Sequence, residues 1–148
     1  MKPLNLPGFA CKIAKKEGKN TIFDAIRKKY VVLTPEEWVR QHFINYLIVH
    51  LQYPKMLISI EGGLQYNRLH KRSDIVVYKR NGIPFMLVEC KAPEVKISQS
   101  IFEQAATYNQ TLKANYLVVT NGMELYCCEI DHENAAYHFM NELPVYSR

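Results

Sequence analysis

Asp74, Glu89 and Lys91 stand out in the stretch SDIVVYKRNGIPFMLVECKAP, because two carboxylates and an ammonium are poor material for a hairpin otherwise rich in valine, isoleucine and leucine. Asn81 and Gly82 form a strong hairpin signal. With those two as the loop, Arg80 faces Ile83, Tyr78 faces Phe85 and Asp74 faces Glu89. Directly opposed residues on one sheet face hold their β-carbons about 4.5 to 5.5 Å apart, where like charges repel, so something positive is expected between the acids. Lys91 lies two residues past Glu89 and returns to the same face. Its ammonium would neutralise the pair in part. A hard divalent cation would do so better, since Mg²⁺ accepts one or two carboxylates with waters and leaves positions open for a phosphate oxygen. The chemistry so assembled is phosphodiester hydrolysis: the cation lowers the pKa of a bound water and offsets charge on the scissile phosphate, while the lysine holds or helps deprotonate the attacking water. The plainer reading, charges left solvated at strand ends, loses ground because the turn brings the acids into register.

These residues need a sheet to hold them. Asp74 to Lys79 and Pro84 to Cys90 read as its hairpin, and MLISIEGGLQYN reads as a further strand with a break at Gly62 and Gly63. A helix is predicted from about Pro35 to Leu51, opened by Thr34 as N-cap, Pro35 after it and Glu37 as the capping-box acid. Phe43, Ile44, Leu47, Ile48 and Leu51 share one apolar arc, yet Glu36, Glu37 and Arg40 fall in that same arc. Ser100 with Glu103 opens a second helix to about Lys113, burying Ile101, Ala105, Tyr108 and Leu112. YLVVT follows as a short apolar strand, Asn121 and Gly122 turn into MELYCCEI, and a last helix is expected from Glu133 to Glu142. The strands Pro84 to Cys90 and Tyr116 to Thr120, joined through a helix, should run parallel by a right-handed crossover. The fold class is therefore α/β, a mixed central sheet flanked by helices, with core order helix, three strands, helix, strand. TIFDAIRKKYVVL adds an edge strand or two.

One domain is expected over residues 21–148, after a loose, basic lead-in over residues 1–20. The 148 residues, 48% of them hydrophobic, suffice for a single core. No run approaches the roughly 18 apolar residues of a membrane span, and the start lacks a secretory signal, so a cytoplasmic location without membrane partners is expected. The four cysteines form no CxxC pair, and Cys127 and Cys128 on one strand would point to opposite faces, which argues against a zinc site or a disulfide framework. No GxxxxGK[ST] loop occurs. A formal charge of +5 favours a polyanionic partner.

Taken with TPEEWVRQ, KRSDIVVY, LVECKAP, QAATY and VVTNG in that order, the chain resembles the PD-(D/E)xK nucleases. It is most similar to the nuclease domain at the N-terminus of type I restriction enzyme R (motor) subunits and its small standalone relatives. The resemblance covers about Thr34 to Gly122. It implies a restriction-endonuclease-like core and a Mg²⁺-dependent deoxyribonuclease, with Mn²⁺ able to substitute. Residue by residue, it implies Asp74 as the motif's aspartate, Glu89 as its second acid, Lys91 as its lysine and the backbone carbonyl of Cys90 as a further metal ligand. Gln104 and Tyr108 match a Gln-x-x-x-Tyr element whose side chains, the resemblance implies, approach the DNA or the active site; their i, i+4 spacing puts them on one helix face. An acid on the first helix belongs to the same resemblance. Glu37 is the choice, with Glu36 beside it, and service of Glu37 as a capping-box acid alone stays open. Ser73 stands where the motif's name has a proline. Implied partners are DNA and a separate helicase or restriction subunit, with self-association left open. Target choice is not expected to carry over, since the motor, methyltransferase and specificity subunit that go with it in the restriction enzymes have no counterpart in these residues.

Arg40 is expected to pair with one of the helix acids or to touch a phosphate. Lys71 and Arg72, with Lys79 and Arg80, flank the hairpin and read either as DNA contacts or as ordinary soluble strand ends. All five histidines read as surface residues, and Trp38 and Tyr46 as helix packing. Two rivals to the nuclease remain: a non-catalytic nucleic-acid-binding domain, and an interaction module of a restriction or repair assembly.

Overall fold

Consecutive apolar residues make the central strands bury both faces, and the computed structural model of the chain shows against what. It describes residues 1–62 and 73–147, the side chains of 61, 62, 73 and 74 excepted. Strands β1 (Ile13–Lys16), β2 (Lys19–Asp24) and β3 (Lys29–Val32) form an antiparallel three-stranded sheet, and helix α1 (Pro35–Asn45) follows. Strands β4 (Ile58–Gly62), β5 (Ser73–Tyr78) and β6 (Pro84–Cys90), helix α2 (Gln99–Leu112), and strands β7 (Tyr116–Thr120), β8 (Leu125–Asp131) and β9 (Ala136–Met140) complete the chain. The six strands after α1 make one sheet in sequence order. β6 and β7 run parallel, as the crossover through α2 requires, and the other neighbours run antiparallel. The architecture is thus mixed α/β. Among the described residues no helix is long and apolar enough to cross a membrane.

The two-residue period of the strands divides the core. Ile75, Val77, Met86, Val88, Cys90, Val118 and Cys127 meet Val39, Phe43, Ile44 and Leu47 of α1 and its extension. Val76, Leu87, Leu117, Val119 and Cys128 meet Ala105 and Ala106 of α2 on the other face. Cys127 and Cys128 do fall on opposite faces, and burial pushes their thiols up to about 11 and about 12.

Both helices are locally specified. Thr34 caps α1 by accepting from the Glu37 amide at 3.0 Å, with Pro35 in the first turn. α1 ends at Asn45 and continues as a π-helical turn over Tyr46–His50, closed by the Leu51 amide on the Tyr46 carbonyl at 3.0 Å. α2 starts two residues earlier than its Ser100 signal. Ser98 is the N-cap, accepting from the Ile101 amide at 3.2 Å, while Glu103 accepts from Gln99 Nε2 at 3.1 Å. At the far end Lys113 takes a left-handed φ of 60°, and the Asn109 side chain grips the Ala114 amide and carbonyl at 2.9 and 3.1 Å.

Four local expectations are corrected. The Asn81–Gly82 turn is not a two-residue loop: Gly82 takes a φ of 85°, its amide donates to Lys79 O at 2.9 Å, and Lys79 N donates to Ile83 O at 2.8 Å. The loop is Arg80, Asn81 and Gly82, so Tyr78 pairs with Pro84 rather than Phe85. A register shift between Val77 and Tyr78 then restores the expected pairs, Val77 with Met86 and Ile75 with Val88. Pro84 has no amide to give to a ladder, which suits it to that irregular end. The expected helix from Glu133 to Glu142 is instead strand β9, paired with β8 through a turn in which Asp131 Oδ1 accepts from the Glu133 and Asn134 amides. The first twenty residues, expected to be loose, hold β1 and the start of β2, and Asn5 N donates to Gly122 O at 2.8 Å.

The fourth correction is His42, which is buried rather than superficial. Its ring lies edge-on to Trp38 at 4.3 Å and Phe9 at 4.9 Å, with Nδ1 2.8 Å from the Trp38 carbonyl. Burial lowers its pKa from the ordinary 6.5, against the pull of that carbonyl. On acidification the unfolded chain therefore takes up the proton first. The neutral ring's contribution is full above about pH 6.5 and is lost as pH falls through the lower folded value. Thermal melts between about pH 7.5 and 5 should show a midpoint that drops with acid in the parent protein and drops less in His42→Gln.

Candidate active site

The carboxyl ends of the parallel strands β6 and β7 carry the acid and the lysine singled out by the sequence. Glu89, paired with Val119, is the second-last residue of β6 and only 1% exposed. Strand alternation turns it to the α2 side with Leu87, while Cys90 turns to the α1 side. The Lys91 amide extends the ladder by one bond, to Thr120 O at 2.9 Å, and its ammonium lies 3.3 Å from Glu89 Oε2. A buried carboxylate that stays charged needs such a partner.

Asp74 lies on β5 one residue beyond the last β5–β6 pair, Ile75–Val88, as Glu89 does on β6. Its side chain is outside the described part, as are Lys71 and Arg72 altogether. β4 adds a residue that sequence reasoning missed: Glu61 pairs with Asp74. The pair places two acids at one register position of β4 and β5. Finding it from sequence would have required the β4–β5 register, which the local pattern does not supply. Among the described residues no three His, Cys, Asp or Glu side chains gather to hold a metal ion.

The acids of α1 are brought together with arginines on the other sheet face. Glu37 accepts from Arg40 Nη1 at 2.6 Å, Gln41 Nε2 at 2.7 Å and Arg27 Nη2 at 2.8 Å. Arg40 Nη2 reaches Glu36 at 2.6 Å, and Arg27 Nε bonds Asp24. Glu37 is thus no capping-box acid alone: its amide serves the cap, and its carboxylate serves three donors. Arg40 is 4% exposed. Burial works against its charge, but nearby Cys90, Glu37 and Glu36 outweigh that and raise its pKa. Arg27 was missed in the sequence, because it sits on a β2–β3 turn that only the folded chain brings to α1.

Gln104 and Tyr108 both lie on α2, as their spacing requires. Gln104 is exposed and Tyr108 is half-buried against the core on the α2 side, the side to which Glu89 turns. They stand on the opposite face from the Glu37–Arg40 network.

A tight loop closes the strand-end region. Buried Asn121 donates to Val95 O at 2.8 Å and accepts from the Met123 and Glu124 amides at 2.9 and 2.8 Å. It ties the β7–β8 turn to the segment that follows Lys91. Asn121→Ala should cost about 1–3 kcal/mol, since it strands buried backbone groups, and urea unfolding would read the loss.

Neither a curated protein nor a solved structure matches the chain. Residues 35–144 do match the family described as the type I restriction enzyme R protein N terminus, a span that takes in α1, both α-helical and sheet elements after it, and every residue of the Glu89 site. The chain belongs to that family of type I restriction enzyme R protein N-terminal modules.

Proposed function

We propose that this chain is a Mg²⁺-dependent nuclease of the PD-(D/E)xK type, with a restriction-endonuclease-like core, that hydrolyses DNA phosphodiester bonds. The observation that carries this reading is a carboxylate 1% exposed, held 3.3 Å from a lysine at the carboxyl end of parallel strands, with a second acid, Asp74, near the start of the neighbouring strand β5. Crevices at such strand ends are where open α/β sheets bind ligands.

The donor set fits a hard divalent cation: carboxylates of Asp74 and Glu89 with the carbonyl of Cys90 are all oxygen ligands. Bound there, Mg²⁺ or Mn²⁺ would supply charge neutralisation at the scissile phosphate and a more acidic attacking water. Glu89 orients the Lys91 ammonium through their ion pair. Lys91 in turn holds the attacking water or donates to a phosphate oxygen. Gln104 and Tyr108 arrange the DNA along α2, and Lys71 and Arg72 contact its backbone. Glu37 fixes Arg40 beside Cys90, which steadies the end of β6. The family supports DNA and other restriction subunits, or a separate helicase, as partners.

The test is incubation of the purified protein with linear, circular and single-stranded DNA in Mg²⁺ or Mn²⁺, alongside calorimetric titration of Mn²⁺ into the parent protein and Asp74→Ala. Cutting with metal uptake that Asp74→Ala abolishes is expected. Absence of both would favour the rival, a non-catalytic nucleic-acid-binding or interaction module of a restriction assembly.

A further inference from the structure

The family match begins at residue 35 and leaves the three-stranded sheet unexplained. Charge is divided sharply at the same point. Residues 1–33 hold eight Lys and Arg against two Asp and Glu, whereas the remainder holds eleven against twelve. The protein's whole positive excess therefore resides in the segment that builds β1, β2 and β3.

One face of that sheet gathers three of those lysines. Pairing aligns Lys16 with Lys19, Ala14 with Thr21 and Val32, and Phe23 with Tyr30, and the Phe23 amide on Lys12 O at 2.9 Å brings Lys12 into the last row. All of these share one face. Lys12, Lys16 and Lys19 are exposed there, and Val32 is 50% exposed. The two acids of the segment do not compete: Asp24 alternates to the other face, where Arg27 takes it, and Glu17 sits in the β1–β2 turn. Ile22, on that other face, is fully buried, and Arg27 ties the β2–β3 turn to Glu37 of α1.

Two rings lie among the lysines. Phe23 and Tyr30 meet edge to face at 5.3 Å, with the Lys12 ammonium 5.4 Å from the Phe23 centroid and the Lys16 ammonium 4.5 Å from the Tyr30 centroid. Such cation–π contacts at exposed sites are weak, so a phosphate can draw the ammonium aside and leave the ring to a base. Lys16 and Lys19 also oppose each other directly, a like-charge pair that destabilises a hairpin unless an anion lies across it.

We infer that this face binds single-stranded nucleic acid, its phosphates on Lys12, Lys16 and Lys19 and its bases stacked on Tyr30 and Phe23. A duplex keeps its base faces hidden and cannot use the rings, whereas unpaired bases stack on aromatics whatever their sequence. The inference is independent of whether the Glu89 end cuts DNA.

Fluorescence anisotropy of the full chain with a labelled oligodeoxythymidylate, in EDTA so that no cutting intervenes, provides the test. The parent protein should prefer the single strand to a duplex of equal length. Replacing Lys12, Lys16 and Lys19 together by Thr should weaken binding at least about tenfold and lower the salt slope by about 2. Tyr30→Val, which keeps strand propensity, should weaken it roughly tenfold with the salt slope unchanged. As a check that needs no variant, the oligomer should slow amine acylation of Lys12, Lys16 and Lys19 in the parent protein several-fold relative to Lys113. Lack of binding, equal reactivity of those lysines, or duplex binding as tight as single-strand binding and indifferent to Tyr30→Val would each overturn the inference.

Discussion

Glu89→Gln should lower DNA cleavage in Mg²⁺ by about 10²–10³-fold or more, in line with loss of a single group aimed at transition-state charge. The substitution keeps shape and removes charge, so a purely structural role for Glu89 predicts something different. Taking a 1% exposed carboxylate out of the core removes a desolvation cost, and the parent stability should be kept or exceeded. Activity lost with stability retained is therefore the signature of chemistry. Lys91→Ala should match it in rate, because each group of the 3.3 Å pair is useless without the other, and the double variant should be little worse than either single one. Side-by-side cleavage time courses and thermal melts decide the matter. Full cutting by Glu89→Gln would end the nuclease proposal at this site.

Arg40→Ala should cost about 3–5 kcal/mol of folding stability, the range for breaking a buried ion pair from one side. Three carboxylates, Asp24, Glu37 and Glu36, share two arginines in this network. Without Arg40, Glu36 loses its partner and Glu37 keeps only Arg27 and Gln41. Native proteins hold about 5–15 kcal/mol in reserve, so the loss is a large fraction of the whole. With a urea slope of roughly 2 kcal/mol per molar, the midpoint should fall by about 2 M. Glu36→Ala offers the contrast: its side chain is 36% exposed, and its pair should be worth under about 1 kcal/mol. Equal midpoints for the two variants would show that burial does not set the strength of this network.

The local grammar of the chain was legible where one short segment decides the outcome. Thr34 and Pro35 announced α1, and the apolar run at Tyr116 announced a strand that did pair parallel with Pro84–Cys90. The same grammar failed where a distant partner decides. His42 looked superficial because nothing near it in sequence shows that Phe9 returns to cover α1. Residues Ala136–Met140 looked weakly helical because their own propensity is indifferent, and the open edge of β8 settles them as a strand. At the candidate site, Glu89 and Lys91 followed from a period of two. Arg27 and Glu61 could not, since each depends on how two separate elements come together, which no local pattern fixes.

The β5–β6 hairpin contains two departures from regular pairing that cancel. A three-residue loop slides one strand past the other by a single position, and the shift between Val77 and Tyr78 slides it back. The phase at the distal end is consequently decoupled from the identity of the turn. A change of loop length would keep that phase only if a compensating residue were gained or dropped between the loop and the Val77–Met86 pair. A lone deletion of Gly82 breaks that balance: every side chain from Met86 onward would exchange one surface of the sheet for the other, sending Glu89 into the greasy layer beneath α1.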